Sequence, residues 1–161
     1  MNSYDEASLG ALWDALTPKL FGYLINTLRD KQLAEDILQA TWVKVLRALP
    51  GFKERGAGIQ AWIFMIARNE CRDHWRKAGR EVPLDPVAHD RAGSGQKDLE
   101  EQVLVGQIFS SLSDEDREIL RLRYIADLTS DEIAKALNIN FVTARVRLHR
   151  ALARARTVAN S

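Results

Sequence analysis

The chain has 161 residues, which is enough for one domain of ordinary size or for two small ones. Hydrophobic residues make up 46% and charged residues 28%, a balance typical of soluble globular proteins, and a single cysteine, Cys71, excludes an intrachain disulfide. No apolar run approaches the roughly 20 residues of a membrane span, and no basic-then-apolar leader opens the sequence, so a cytoplasmic location is predicted.

The formal net charge of +1 conceals a segregation of charge along the chain. Residues 61–80 carry a net charge of +3 and residues 117–161 one of +5, whereas residues 81–116 carry −7. Two basic blocks on either side of an acidic stretch indicate two surfaces that meet a polyanion. Ordinary helices with solvated charged faces would give the same distribution, so charge alone leaves both interpretations open.

The first part of the chain predicts three helices. The first is amphipathic and is expected to break or kink near Pro18. Its apolar face comprises Leu9, Leu12, Trp13, Leu16 and Leu20. Residues 31–49 predict a second helix, with its acids early and its bases late as the helix dipole favours. After a break rich in glycine, residues 59–78 predict a third long helix.

A segment without periodicity, residues 79–98, holds two prolines and three glycines and is predicted to be a flexible linker. The patterns on both sides of it are helical, including a helix over residues 112–126 with Ser113 as its N-cap. No segment has a convincing strand pattern. The sequence therefore predicts an all-α fold of two small helical domains, residues 1–78 and 99–161, joined by this linker.

A helix-turn-helix pattern lies in the second domain. Thr129 and Glu132 are spaced as a capping box at the start of a short helix that ends at Leu137. Asn138 stands where the chain must turn, because asparagine tolerates the left-handed conformation, and Asn140 can cap the next helix. A short helix, a turn of about three residues and a second helix are the parts of this motif.

The second helix of the motif, from Phe141 onward, has an apolar side and a basic side. At about 100° per residue, the residues expected to pack inward are Phe141, Ala144, Leu148, Ala151, Leu152 and Ala155. The outward arc comprises Val142, Arg145, Val146, His149 and Arg150. Arginine can bond guanine or hold phosphate, and an exposed valine can contact a thymine methyl, so the arc predicts contact with a DNA major groove. A basic helix that is merely soluble, or that binds an acidic protein, is the alternative.

The third helix of the first domain carries another basic face. Its members, three or four residues apart, are Met65, Arg68, Arg72 and Arg76, bordered by Trp62 and Asn69. The opposite side, expected to face the core, comprises Ile63, Ala67, Cys71 and His74. Aromatic rings beside arginines suit single-stranded nucleic acid, since bases stack on the rings while the cations hold the backbone. Core aromatics under a solvated arginine face would look the same, and the residues alone favour that simpler interpretation.

The residue patterns of an enzyme or a metal site are missing from the sequence. It contains no Gly-rich phosphate loop, no nucleophile elbow and no histidine near a plausible serine or cysteine nucleophile. Its three histidines and one cysteine do not fall at zinc-ligand spacing. We therefore predict no catalytic residue, no metal and no cofactor.

Two stretches, residues 33–77 and 112–156, together resemble the sigma-70 family of bacterial transcription initiation factors. The first begins LAEDILQATWVKVL and ends ARNECRDHWRK; the second runs from LSDEDREIL to the helix NFVTARVRLHRALARAR. They are most similar to the small extracytoplasmic-function (ECF) group, which has only the second and fourth sigma regions. Apart from the extreme N-terminus and the linker, nearly the whole chain takes part in the resemblance.

This resemblance implies a role for each surface, with residues 1–78 as sigma region 2 and residues 99–161 as sigma region 4. The second helix looks like the part that docks on the clamp coiled coil of the polymerase β′ subunit, through Asp36, Gln39, Trp42, Val43 and Leu46. The basic face of the third helix looks like the part that recognises and opens the minus-ten element. Asn69 would line the pocket of a flipped base, with the loop Pro50–Gly58 folded over it. The outward arc from Val142 to Arg150 would read the minus-thirty-five element.

The chain departs from many relatives at the start of its recognition helix. It has Asn140-Phe141-Val142-Thr143 where they have Pro-x-Gly-Thr, and Val146 where they have a small polar residue. Base preference is therefore not carried over to this chain.

The implied protein is a dissociable specificity subunit without enzymatic activity of its own. Its partners would be promoter DNA, core RNA polymerase through the β′ clamp and the β flap, and an anti-sigma factor that can hold it at the membrane. One alternative is a mimic that sequesters an anti-sigma factor, which would need neither Asn69 nor DNA-facing arginines. Another is a stand-alone helix-turn-helix regulator, which would need a dimerisation element, and the sequence has no heptad seam.

Overall fold

The structure is a computed structural model, and it describes residues 6–53, 58–79 and 106–161. The secondary structure in these ranges is helical throughout, without strands, which confirms the predicted all-α class. The helices are α1 (Glu6–Leu28), α2 (Lys31–Ala48), α3 (Gly58–Lys77), α4 (Asp114–Leu120), α5 (Ser130–Leu137) and α6 (Phe141–Ala159). A 3₁₀ turn, Leu49–Gly51, follows α2, and a π-helical turn, Arg121–Ile125, continues α4. Most of the predicted linker, residues 80–98, lies outside the described residues.

Helix α1 runs through Pro18 without ending, so the predicted break there is wrong. Proline inside a helix removes one backbone hydrogen bond and crowds the preceding turn, at a cost of about 3 kcal/mol. The residues around it, Leu16, Leu20 and Leu24, are fully buried, and their packing offsets that cost. Packing of the buried leucines therefore keeps the helix continuous despite the helix-breaking tendency of Pro18.

Helices α1, α2 and α3 pack against one another and form the first lobe. Asp30 begins α2, because its side chain accepts a hydrogen bond from the backbone N–H of Leu33 at 3.1 Å. Tyr23 and Phe64 meet edge to face, with ring centroids 5.6 Å apart, and join α1 to α3 in the centre of this lobe.

Helices α4, α5 and α6 form the second lobe, and its predicted caps are confirmed. The Ser113 hydroxyl accepts from the backbone N–H of Asp116, and Thr129 and Glu132 form a complete capping box. Asn138 has φ 56° and ψ 47°, the left-handed conformation that ends α5. Asn140 then caps α6, its side chain accepting from the N–H of Thr143 at 2.7 Å. The left-handed Asn138 and the cap at Asn140 form the turn between the two helices of the motif.

The two lobes lie in contact with each other, which the sequence did not reveal. Helix α3 of the first lobe packs on α5 of the second, and α1 packs on the π-helical turn. Where α1 meets the π-helical turn, a Cβ on Gly22 would lie only 3.2 Å from Cγ2 of Ile125, so glycine permits this spacing. The buried apolar residues of both lobes form one continuous cluster.

Candidate nucleic-acid and polymerase interfaces

The outward face of α6 is open to solvent along its length. All five residues predicted to meet the minus-thirty-five element are exposed: Val142, Arg145, Val146, His149 and Arg150. Inward, Ala144 and Ala151 are buried, with Leu148 and Leu152 half-buried against the rest of the lobe. Exposed valines between cations are unusual on a solvated surface but suit a helix that enters a DNA groove.

Phe141 differs from the prediction that it packs inward. It lies in the first turn of α6, where little of the lobe covers it, and it is among the exposed large hydrophobic residues. The guanidinium carbon of Arg145 lies 5.7 Å from the centroid of its ring, which is a cation–π contact. Phe141 therefore restricts the side chain of Arg145 near the start of α6. The sequence signal was the i, i+4 spacing of the two residues.

The basic face of α3 is only partly open. Asn69, Arg72 and Arg76 are exposed, and Arg76 forms a surface ion pair with Asp73 one turn earlier. Met65 and Arg68 are half-buried, and Arg68 lies next to Glu118 of the second lobe, with Nε 3.9 Å from Oε2. On the opposite side Ile63, Ala67 and Cys71 are buried as predicted, whereas His74 is half-buried.

Trp62, at the border of this face, is already stacked. The ring of Phe52 stacks on it, with centroids 4.5 Å apart and an interplanar angle of 27°. One face of the Trp62 ring is therefore covered by the segment that leads into α3. The loop predicted to fold over a flipped base, Pro50–Gly58, is described only to Lys53 and again from Gly58, so its middle lies outside the described residues.

An exposed apolar strip on α2 carries most of the predicted polymerase-binding residues. Asp36 and Gln39 are exposed, and one turn further Val43 and Leu46 are exposed large hydrophobic residues. Trp42 differs from its neighbours, because only 3% of it is accessible. Its ring lies under the half-exposed ring of Trp13 from α1, with centroids 4.7 Å apart. The amphipathic pattern places Trp13 on the apolar face of α1, but no local signal indicates that it covers Trp42.

An ion pair connects α2 to α3. The ammonium of Lys44 on α2 pairs with the carboxylate of Glu70 on α3. The hydrogen bond to Glu70 raises the pKa of Lys44 above its usual value, so the lysine is charged at all physiological pH values. Glu70 is next to Asn69 in the chain, so the pair fixes the helix turn that presents Asn69.

Buried polar groups join the two lobes in a network that the sequence did not predict. The Tyr23 hydroxyl donates to Oε1 of Glu118 at 2.7 Å, and Nε of Arg121 donates to Oδ1 of Asn26 at the same distance. Burial, with the nearby Glu118 carboxylate, raises the pKa of Tyr23 well above its ordinary value. Burial lowers the pKa of Arg121, while Glu118 opposes that shift. No local motif marks these residues, because each partner is in the other lobe.

Cys71 lies beside this network. Burial raises the pKa of its thiol to about 12, and Glu118 adds to the increase while Arg121 reduces it. Charges from the second lobe therefore act on a thiol of the first. None of the helices in the described ranges combines the length and the apolar composition that a membrane crossing requires.

Two sigma-70 family models match the sequence of this chain. The model for sigma-70 region 2 matches residues 12–81, and the model for sigma-70 region 4 matches residues 102–154. The first contains both the α2 strip and the basic face of α3, and the second contains the helix-turn-helix.

Curated relatives and solved structures agree with this match. The chain is 32% identical over 139 residues to the ECF RNA polymerase sigma factor ShbA of Streptomyces griseus, covering 80% of this chain and 73% of ShbA. It is 30% identical over 151 residues to the ECF RNA polymerase sigma factor SigM of Bacillus subtilis, covering 88% of each.

Among solved structures, the chain is similar to the sigma factor RpoE in complex with the anti-sigma factor NepR from Bartonella quintana. The TM-score is 0.75 at 26% identity, over 94% of this chain and 96% of that one. CnrH in complex with the cytosolic domain of CnrY shares the fold, with a TM-score of 0.67 at 22% identity. With both regions matched in order and two curated relatives at 30% identity or more, the chain belongs to the ECF group of the sigma-70 family of RNA polymerase sigma factors.

Proposed function

We propose that this chain is a promoter-specificity subunit of bacterial RNA polymerase. It binds the core enzyme, directs it to promoters by recognising minus-thirty-five and minus-ten elements, and helps to open the DNA. The observation that carries this function is the outward face of α6: five exposed apolar and basic residues on a helix set by a capped, left-handed turn. A sigma-type reader needs such a face on a complete helix-turn-helix.

The domains divide this function between them. Residues 1–78, as region 2, bind the polymerase through the α2 strip and the minus-ten element through α3. Residues 99–161, as region 4, read the minus-thirty-five element, and residues 79–98 link the two. The exposed apolar pair Val43 and Leu46 beside the acidic Asp36 supports helix-to-helix docking on the polymerase, with Trp42 as support beneath Trp13.

DNA opening is assigned to the basic face of α3. Extruding a base costs a few kcal/mol, and a pocket at Asn69 with cations along the strand offsets that cost. Arg72 and Arg76 are exposed and hold the backbone, and the half-buried Met65 and Arg68 continue the same face. Trp62 stays stacked on Phe52 with one face of its ring and presents the other face to the DNA strand.

The chain acts without catalysis of its own, in the cytoplasm, where promoter DNA and polymerase are found. An anti-sigma factor is its regulatory partner; the similarity to RpoE, which was solved in complex with NepR, supports this. Such a partner can also hold the chain at a membrane.

Two valines provide a reciprocal test. Val43 on α2 and Val146 on α6 are 41% and 40% exposed, so aspartate at either position costs little stability. V146D should lose binding to a minus-thirty-five duplex and keep binding to core polymerase, because a carboxylate repels the DNA backbone. V43D should lose the polymerase and keep the duplex.

Run-off transcription with purified core polymerase and a panel of candidate promoters completes this test. The wild-type chain should give promoter-specific transcripts, and both variants should abolish them. A V146D protein that transcribes like the wild type would contradict the proposal. A wild-type chain that gives no specific transcript but binds an anti-sigma factor would be a sigma mimic instead.

A further inference from the structure

Phe141 and Arg145 form a contact at the start of α6 that leaves both side chains exposed. The guanidinium carbon of Arg145 lies 5.7 Å from the centroid of the Phe141 ring, and Phe141 is 42% exposed. That distance is within the range of a cation–π attraction. We infer that Phe141 is a positioning residue for promoter reading: its ring holds the guanidinium of Arg145 where it reads a guanine of the minus-thirty-five element.

The backbone that carries Phe141 is fixed by the turn before it. Asn138 ends α5 in the left-handed conformation, and the side chain of Asn140 accepts a hydrogen bond from the backbone N–H of Thr143 at 2.7 Å. Phe141 is the first residue of α6, so this cap defines where its ring leaves the helix. Residues four apart are neighbours on a helix surface. The ring therefore has a defined position relative to Arg145 in the free chain.

An aromatic ring can hold an arginine without using the groups that read DNA. A carboxylate would occupy N–H donors of the guanidinium and cancel its charge, as Asp116 does for Arg154. The face of a ring attracts the cation through its π electrons, without a conventional hydrogen bond. Helix α6 contains no aspartate or glutamate that could compete for Arg145. Arg145 therefore keeps its charge and its N–H donors for DNA.

The position of Arg145 suits the reading of a base. In a helix-turn-helix, residues near the start of the second helix reach the base edges, and Arg145 lies in the second turn of α6. An arginine reads guanine with two donors, on O6 and N7, so the direction of the guanidinium matters. Because the ring already restricts Arg145 in the free chain, less rotamer freedom is lost on binding. This inference rests on the proposed function, which supplies the DNA.

Two substitutions at position 141 separate the effect of the ring from that of apolar bulk. F141L keeps an apolar side chain but has no ring face, whereas F141Y keeps the ring. Position 141 is exposed, so both variants should unfold at the same urea concentration as the wild type. F141Y is the matched control, because only the loss of the ring should matter.

The contact is measured first without DNA, through the NMR chemical shifts of Arg145. Protons over the face of an aromatic ring are shifted upfield by its ring current. The side-chain protons of Arg145 should therefore move downfield in F141L and stay near their wild-type shifts in F141Y. Arg150 lies about 14 Å further along the helix, and its protons should not move. Equal shifts of Arg145 in the wild type and F141L would overturn the inference.

Reading is then measured with duplex DNA and the full chain. The probe is the duplex that the wild-type chain selects from a randomised pool, with variants that each change one base pair. R145A should lose discrimination at one G·C pair, which identifies the pair that Arg145 reads. F141L should reduce discrimination at that same pair about two- to fivefold, the factor expected for an exposed cation–π contact. F141Y should restore it.

A double-mutant cycle decides whether Phe141 acts through Arg145. In the R145A background F141L should have no further effect, because no guanidinium remains to be positioned. In the R150A background F141L should reduce affinity by the same factor as in the wild type, since residues 141 and 150 are too far apart to interact. An equal effect of F141L with and without Arg145 would show that the ring contacts DNA itself, and it would overturn the positioning role.

The remaining outcomes separate this inference from the proposed function. If the wild type discriminates among the duplexes and F141L does so equally well, the positioning role is wrong and the proposed function stands. If R145A weakens all duplexes uniformly, Arg145 holds phosphate, and the inference that it reads guanine is overturned. If the wild type binds every duplex alike, the proposed promoter reading fails and the role of Phe141 in it fails too, even where the NMR shifts confirm the contact.

Discussion

Nη1 of Arg154 on α6 lies 2.8 Å from Oδ1 and 3.0 Å from Oδ2 of Asp116 on α4, so one guanidinium nitrogen donates to both carboxylate oxygens. Asp116 is buried, whereas Arg154 is more than half exposed. The backbone N–H of Asp116 also donates to the hydroxyl of Ser113, which caps α4. The ion pair therefore connects α6 to the capped first turn of α4. The residues of α6 that we propose to face DNA, Val142 to Arg150, lie about one to three turns before this ion pair.

Replacing Arg154 with alanine should lower the free energy of unfolding by about 1–2 kcal/mol, because Asp116 stays buried without its charged donor. Minus-thirty-five binding should weaken about equally for all sequences, since the helix loses its fixed orientation. R156A, which removes an equal charge from the exposed last turn of α6, should leave stability within about 0.5 kcal/mol of the wild type. Urea unfolding measures both. Equal decreases in the unfolding free energy of R154A and R156A would show that the contact between Arg154 and Asp116 contributes no more than the positive charge of the arginine.

Arg150 should read a base and not only hold a phosphate. It is exposed on the same arc as Val146, one helical turn later. R150A should cost about 1–3 kcal/mol at one base-pair position and relax the preference there. Binding to a set of minus-thirty-five duplexes, each with one base pair changed, measures this. The neighbouring R147A should weaken all duplexes uniformly, and the same uniform pattern in R150A would show that it contacts phosphate alone.

Asn138 should be replaceable by glycine but not by alanine. Its φ of 56° is in the left-handed region, where a side chain without a local hydrogen-bonding group is strained by roughly 1–2 kcal/mol. N138A should therefore lower the unfolding free energy by about 1 kcal/mol, and N138G should equal or slightly exceed the wild type. Thermal and urea unfolding of the two variants provide the comparison. An N138A protein as stable as N138G would mean that the turn relaxes to another conformation.

The Cys71 thiol should make the chain less stable in alkali. Its pKa is about 12 in the folded chain against 9.0 in the unfolded one, so both states hold the proton below pH 9 and the contribution is fully present there. Above pH 9 the unfolded chain loses the proton first. The unfolding free energy should then fall by up to about 1.4 kcal/mol per pH unit until pH rises through the folded pKa.

C71A should remove this contribution, so its stability should fall less steeply than that of the wild type between pH 9 and 11. Unfolding in urea at a series of pH values gives the two slopes. Tyr23, whose pKa is also raised, titrates in both proteins, and burial, the main cause of its shift, is common to both. Parallel curves would show that Cys71 is not held in a closed, buried position.

Features that depend on short stretches could be predicted from the sequence. The capping box at Thr129, the left-handed Asn138 and the caps at Ser113 and Asn140 each depend on residues within one turn of each other. The outward arc of α6 followed from helical periodicity, and Phe141 was misassigned because the helix extends beyond the lobe at that end. Helical periodicity predicts which side of a helix is apolar, but it does not predict how much of the length of that side is covered by the core.

Two tryptophans show a different kind of limit. Trp13 and Trp42 both fit an amphipathic pattern, and only their packing decides which is covered, with Trp42 beneath Trp13. Pro18 was expected to interrupt α1, but the buried leucines around it keep the helix intact. In each case the local sequence favours one conformation by a few kcal/mol, and burial against residues distant in the sequence decides the outcome.

The sequence by itself determined the all-α class, the helix-turn-helix and the two basic faces, because these depend on residue spacing along single helices. The tertiary structure alone decided that the lobes are closed on each other. Glu118 and Arg68 are 50 positions apart in the chain and Tyr23 is 95 from Glu118, so no local pattern relates them. Their partnership depends on how two helical surfaces fit, with Gly22 leaving room for Ile125.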